Sequence, residues 1–425
     1  MTPDAALRHL ASLETTGIKF GLANTERALA ALGNPHQGQA FVHVGGTNGK
    51  GSVCALLAEV LARHGLRCGL YTSPHLSDVR ERIQIGGRPL ASCRLGPLVA
   101  RVRRAASRIP LTYFEFLTVM ALLYFAEAKV DVAVLEVGMG GRLDATNVVR
   151  PLVAAVTNVS REHTRYLGRT VRAIAAEKAG IVKPRVPLVT AAWGAALEVI
   201  EEHCRQLGAP LYRLGGQFRL RPRGERFNYL GLTVRLPSLQ VALPGAHQRT
   251  NAALALATAE LALGSLGRQM SEEAVRAALA EVFWPGRLER LGCAPLLLLD
   301  CAHNPAGARA LARYLAENRQ GRLILVVGLL GDKDTAGFLK PLLPLADAAV
   351  ACAPATSRAM PAEDLARHMA RLHPAGGQVA ASVAGALRLA RSLATPSDTI
   401  CVCGSLYTVG EVRELLGLSG KRAAC

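Results

Sequence analysis

The chain has 425 residues, 50% hydrophobic and 19% charged, the balance of an ordinary globular protein with room for two or three cores. No segment approaches the ~20 apolar residues needed to cross a bilayer, and Met1–Ala6 lacks the basic-then-apolar pattern of a signal peptide, so a cytosolic location is expected. The net charge of +18 would attract anions such as ATP, polyglutamate tails or nucleic acid; Arg-rich helix surfaces explain it equally well. With aromatics at 4% and no basic run of five residues, a base-stacking nucleic-acid groove is disfavoured.

In chain order, short apolar runs at 41–44, 132–137, 153–156, 296–300, 323–327 and 400–403 read as strands. Helical patterns cover 53–63, 116–128, 195–207, 252–263, 307–318 and 362–372. Near-continuous β-branched and leucine runs alternating with helices imply α/β domains built on mostly parallel, doubly wound sheets. From Gln217 to Leu243 the rhythm changes to strands joined by turns, read as a small antiparallel addition at the first domain's edge. The breakers Trp284-Pro285-Gly286-Arg287 precede a new strand–helix series. The expected division is therefore 1–290, an ATPase-like domain, and 291–425, a smaller Rossmann-like domain. The ten cysteines are scattered, several within apolar runs (Cys54, Cys68, Cys352), as buried reduced thiols are. Cys401 and Cys403 have no second pair at zinc-site spacing.

The strongest local signal is Val44-Gly45-Gly46-Thr47-Asn48-Gly49-Lys50-Gly51-Ser52, which follows a strand and opens a helix. Glycines let several backbone N–H groups converge on one anion, and the helix N-terminus adds partial positive charge. Lys50 offers a cation for β/γ phosphates, and Ser52 a hydroxyl for Mg²⁺ or phosphate. Gly51 separates Lys50 from that hydroxyl, so the loop departs from the strict Walker A order.

The run Gly46–Ser52 resembles the ATP loop of the Mur ligase superfamily, specifically its folylpolyglutamate synthase/dihydrofolate synthase branch. The resemblance continues through Thr72–Leu76, Glu81–Ile83, Leu135–Asn147, Glu177–Ile181, Leu243–Gln248 and Asn251–Ala253. It extends to Trp284–Glu289, Asp300–Gly307, Asp332–Asp334 and Gly404–Tyr407, in order along the chain. It implies an ATP-dependent ligase that joins L-glutamate to tetrahydrofolate, and to dihydropteroate, through an acyl phosphate. Reaction is expected in a cleft between the domains, whose closure excludes water. Nothing in the sequence demands more than a monomer.

Phosphoryl transfer to a carboxylate concentrates negative charge, so hard cations and oxygen ligands are expected near the loop. Glu136 ends an apolar strand where ligands bind in open sheets. The resemblance assigns it to Mg²⁺; a structural ion pair with an arginine would also explain it. The resemblance adds Ser73 and His163 as metal ligands, implying two Mg²⁺ ions, with Glu162 in place of the usual Asp before His163. It also implies that Lys178 is carbamylated, which makes a cation into an anionic oxygen ligand; the alternative is a lysine paired with phosphate or Glu177. Thr47, Asn48, Gly49, Lys50, Gly51 and Ser52 would hold ATP, with Asn251, Arg287 and Asp300; Arg287 also reads as a surface arginine and Asp300 as a helix cap.

On the acceptor side the resemblance places His303 and Ser405 near the incoming glutamate, although a helix cap explains the same chemistry. Cys301 replaces the usual glycine and could narrow that pocket. Phe114, Glu115, Arg142 and Asp144 resemble pterin contacts, and Phe114 reads equally as a core aromatic. Arg165-Tyr166 stands where many dual-function members carry Asp-Trp, which weakens the case for dihydropteroate. Three other classes compete. A cell-wall Mur ligase would differ at Trp284–Arg287 and Gly404–Tyr407. A P-loop kinase would need a strict Walker A, and a non-enzymatic binding protein would be expected to lose Glu136, His163 or Lys178.

Overall fold

The computed structural model describes residues 1–14, 17, 19–373 and 376–418, with the backbone alone described at Arg165. The described chain divides into two compact units. One comprises Met1–His75, Val79–Ala242 and Gln248–Val282; the other comprises Leu76–Asp78, Leu243–His247 and the chain from Phe283 onward.

The first unit is built on an eight-stranded sheet: β1 (Phe41–Gly45), β2 (Cys68–Tyr71), β3 (Ile83–Ile85), β4 (Arg88–Pro89), β5 (Val132–Glu136), β6 (Val153–Val156), β7 (Leu188–Thr190) and β8 (Leu211–Arg213). The order is β4-β3-β2-β5-β1-β6-β7-β8. Strands β2, β5, β1, β6, β7 and β8 run parallel, and β3 and β4 form an antiparallel edge. β1, β5 and β6 are buried along their whole length, as strands covered by helices on both faces must be. β1 lies between β5 and β6, so the carboxyl ends of all three open at one rim, where ligands bind in such sheets. The antiparallel addition is a separate three-stranded sheet, β11-β10-β9, from β9 (Arg219–Arg223), β10 (Arg226–Leu230) and β11 (Arg235–Leu239).

The second unit holds a six-stranded sheet in the order β12-β13-β17-β14-β15-β16. Its strands are β12 (Glu289–Leu291), β13 (Leu296–Leu299), β14 (Leu323–Val327), β15 (Ala348–Cys352), β16 (Gln378–Ala380) and β17 (Thr399–Cys403), antiparallel only at β12. The boundary expected at 290/291 would cut β12, whose ladder to β13 ties it to this sheet; the units divide at Val282/Phe283 instead. A buried ion pair, Arg413 with Glu289, joins helix Leu406–Leu415 to β12, and Glu289 also accepts the Gly286 N–H at 2.8 Å.

Candidate active site

The phosphate loop is fixed from below by the segment after β6. The Thr47 N–H donates to Asn158 O (2.8 Å), and the Asn48 N–H to Asn158 Oδ1 (3.0 Å). Thr157 Oγ1 and Asn158 Nδ2 both donate to Asn48 O, at 2.7 and 2.8 Å. Ser160 clasps Thr47 through its N–H. Two glycines are sterically required. A Cβ on Gly46 (φ 133°) would lie 1.9 Å from Thr157 Oγ1, and one on Gly49 (φ 84°) would lie 2.7 Å from Asn251 Oδ1. Gly49 starts helix Lys50–Arg63 with no side-chain cap, so the first-turn N–H groups keep their donors for something else. Lys50 Nζ donates to Thr47 O at 3.1 Å. Ser52 is buried and accepts from Gln248 Nε2 at 3.3 Å, while Gln248 Oε1 accepts from Asn251 at 2.9 Å. The first turns of helix Ala246–Ser265 thus reach the loop.

Lys178, on helix Val171–Ala179, is 1% exposed and donates to Gly46 O (2.8 Å) and Glu162 Oε1 (2.6 Å). Burial lowers its pKa, and Glu162 resists that. Burial alone would raise the Glu162 carboxyl; Lys178, Lys50 and His163 overcome this and hold it down at about 2. The unmodified lysine therefore pairs with Glu162 and not with Glu177, which instead pairs with Arg142 at 2.8 Å. Glu136 ends β5 at 5% exposure and accepts the Ser73 N–H at 3.1 Å. His163 sits in the left-handed region (φ 46°, ψ 39°) at the start of helix Thr164–Leu167, a conformation that costs energy in a non-glycine residue. Among the described residues, no group of three or more His, Cys, Asp or Glu side chains is placed to hold a metal.

Three expected substrate residues are committed to backbone N–H groups. Glu115 forms a capping box with Thr112, accepting its N–H at 2.7 Å. Asp144 accepts from Met139 N (2.9 Å), Thr146 N (3.0 Å) and Thr146 Oγ1 (2.5 Å), and burial raises its pKa against those bonds. Thr146 Oγ1 lies 2.8 Å from the buried His43 Nε2, and burial lowers that imidazole to about 3. Ser405 caps helix Leu406–Leu415, accepting from Thr408 N at 3.1 Å, as Asn304 caps helix Pro305–Asn318. Phe114 is half-buried, tilted against Tyr71 at 6.0 Å between ring centres. The side chain of Arg165 lies outside the described residues.

In the second unit, Asp300 is buried at the end of β13 and accepts from Leu288 N (3.0 Å) and Ala302 N (2.9 Å). Burial raises its pKa, opposed by Arg287 and His247. Cys301 is 2% exposed and packs on Gly286, where a Cβ would meet its Sγ at 2.6 Å. His303 Nδ1 lies 2.9 Å from Cys301 O. Sequence reasoning missed Gln248, Thr157 and Asn158; the last two follow a parallel strand at its carboxyl end, a position that could have flagged them.

A phosphate loop after β1 of one doubly wound sheet, followed by a second, mostly parallel sheet, fits the Mur ligase class. The Mur ligase middle domain matches residues 44–259 and the Mur ligase glutamate ligase domain residues 286–406. Folylpolyglutamate synthase of Lacticaseibacillus casei is 37% identical over 92% of this chain and 93% of its own length. Dihydrofolate synthase/folylpolyglutamate synthase of Escherichia coli is 36% identical over 98% and 97%. Mycobacterium tuberculosis folylpolyglutamate synthase complexed with ADP superposes with a TM-score of 0.90 at 35% identity, covering 98% of this chain and 99% of that one. The E. coli FolC complex with DHPP and ADP gives 0.91 at 34% identity, covering 98% of each chain. A probable bifunctional folylpolyglutamate synthase/dihydropteroate synthase of Haloferax volcanii is 41% identical over 96% of this chain, which spans 50% of that relative's length. The chain belongs to the folylpolyglutamate synthase/dihydrofolate synthase family of Mur ligases.

Proposed function

We propose that the protein is an ATP-dependent ligase that adds L-glutamate to the terminal carboxylate of tetrahydrofolate, and also to dihydropteroate. The observation that carries this reading is the pinned loop with an uncapped helix N-terminus, flanked by Lys50 and the buried Lys178–Glu162 pair. Such a cradle suits a triphosphate. Gly46–Ser52 and Asn251 would bind ATP, and Arg287 and Asp300 are the second unit's candidates for nucleotide contact. His303 and Ser405 are the candidates for glutamate, and Phe114, Glu115, Arg142 and Asp144 for the pterin. For Glu115, Asp144 and Ser405 that role would have to use lone pairs beyond those already engaged.

Mg²⁺ prefers a few oxygen donors completed by water and phosphate. The Glu136 carboxylate at the rim, with Ser73 beside it, fits such a donor set, and His163 is the third candidate. When bound, the metal would neutralise charge on the phosphates being transferred. Lys50 and the first-turn N–H groups would do the same from the protein side, so the acceptor carboxylate takes the terminal phosphoryl group of ATP, releasing ADP, and the glutamate amine then attacks the acyl carbon and displaces phosphate. Carbamylation of Lys178 is part of this reading: it needs a neutral amine, and burial shifts Lys178 in that direction. With ¹³C-bicarbonate, a carbamate resonance present in the wild type and absent in Lys178→Arg is expected. We also place the protein in the cytosol as a monomer.

Phosphate release from ATP with L-glutamate, with products weighed by mass spectrometry, tests the reading. A one-glutamate gain on tetrahydrofolate and dihydropteroate is expected. A gain on tetrahydrofolate alone would restrict the enzyme to tail extension, and no gain on either would overturn the substrate assignment.

A further inference from the structure

The small antiparallel sheet carries an arginine face with no part in the site above. Arg219, Arg221 and Arg223 share one side of β9 at the two-residue strand period. The ladder carries that side across the sheet: Arg223 lies opposite Arg226 on β10, Arg219 opposite Leu230, and Leu230 opposite Arg235 on β11. All five arginines are exposed. The other side buries Phe227, Tyr229, Leu236 and Leu239, so the two faces differ sharply. Some exposed arginines elsewhere pair with carboxylates, as Arg94 does with Glu127 and Arg172 with Glu198. Among the described residues none of these five has an acidic partner; Arg226 donates only to Ser238 Oγ, at 3.3 Å.

Cationic side chains keep edge strands from pairing with other chains, which accounts for β9 and β11. It does not account for Arg226 on the central strand, directly opposite Arg223, where like charges cost stability. A bound polyanion would relieve that repulsion. The face also has a link to the phosphate loop. Arg249 Nη1 donates to Gly224 O (2.8 Å) in the β9–β10 turn, one residue from Gln248, whose side chain reaches Ser52.

We propose that this face binds the γ-glutamyl tail of a folate already carrying several glutamates. This rests on the ligase reading and names the acceptor class that reading leaves open. Alternate residues along a strand repeat every ~6.8 Å. An extended γ-linked unit, longer than an α-linked residue by two methylenes, repeats on the order of 6 Å with one free carboxylate per unit. A nucleic acid would match the charge, but the sheet's aromatics Phe227 and Tyr229 are turned into the core and offer bases no stacking surface.

The test measures binding of fluorescein-labelled penta-γ-glutamate to the full chain by anisotropy, at about 150 mM salt to suppress long-range attraction. The triple variant R219S/R221S/R223S should bind about tenfold more weakly, and R219K/R221K/R223K should recover most of the loss. In turnover, the serine variant should raise KM for a tetraglutamyl folate by a similar factor while leaving kcat and the monoglutamate KM unchanged. Equal peptide binding by wild type and serine variant overturns the proposal. So does tighter binding of an oligothymidylate of equal charge. If the wild type extends no folate, the ligase reading fails; peptide binding lost in the serine variant would still support a γ-glutamyl site on this face.

Discussion

Glu162→Gln, compared with wild type in bicarbonate-free buffer so that Lys178 stays uncarbamylated and cationic, isolates the contribution of the buried ion pair beneath the phosphate loop. Glu162 and Lys178 lie 2.6 Å apart at 10% and 1% side-chain exposure, and removing one member of a buried pair costs ~3–5 kcal/mol. The depressed pKa implies a second figure: a carboxyl held at about 2 rather than the usual 4.5 contributes about 3.5 kcal/mol at neutral pH, at ~1.4 kcal/mol per pH unit. Because the folded pKa is depressed, this contribution is complete above pH 4.5 and is lost as pH falls towards 2. At pH 7 the variant should melt roughly 5–10 °C lower. The gap to wild type should narrow steadily below pH 4.5. Without its carboxylate, Lys178 should shed its proton more readily, since Glu162 is what resists the effect of burial. Paired calorimetric scans from pH 7.5 to 3.5 give the comparison. Equal melting temperatures at pH 7, or a gap that stays constant to pH 3.5, would refute the reasoning.

Gly46→Ala should abolish ADP binding measured by titration calorimetry, because its Cβ would lie 1.9 Å from Thr157 Oγ1 and force the loop off its support. Arg413→Met leaves Glu289 buried without its cation and should lower stability by ~3–5 kcal/mol, read by urea denaturation. Thr112→Ala breaks a capping box and should cost about 1 kcal/mol by the same measurement.

The main strands were legible because a parallel sheet covered on both faces needs unbroken apolar runs; β6 and β14 fall on the expected residues. Strands without that signature escaped. β15 is Ala-Ala-Val-Ala-Cys, whose alanines favour neither strand nor helix clearly. β2 contains Gly69, which the fold requires because Phe125 would meet a Cβ at 2.9 Å, yet glycine reads as a break. The phosphate loop was visible because its glycines and lysine are consecutive in the chain. Its support was not: Thr157, Asn158 and Gln248 are brought to it by sheet order and helix packing, from about 110 and 200 residues away. The Lys178–Glu162 pair was missed for the opposite reason. Glu177 is adjacent in sequence, but adjacent helical residues point to different sides, and Glu177 faces Arg142.

The same contrast separates scaffold from site. A polar residue engaged by its own backbone surroundings has its position explained by folding, and Glu115 and Ser405 are of that kind, each keeping lone pairs to spare. The phosphate loop is different. Its helix begins without a side-chain cap, Lys50 spends one of three donors on Thr47 O, and the Ser160 hydroxyl beside it is buried with no partner. Folding does not favour groups left in that state, because each buried unsatisfied donor costs roughly 1–3 kcal/mol. A ligand that accepts from these groups returns that energy. A multiply charged phosphate, accepting from several convergent donors at once, is the group whose chemistry matches them.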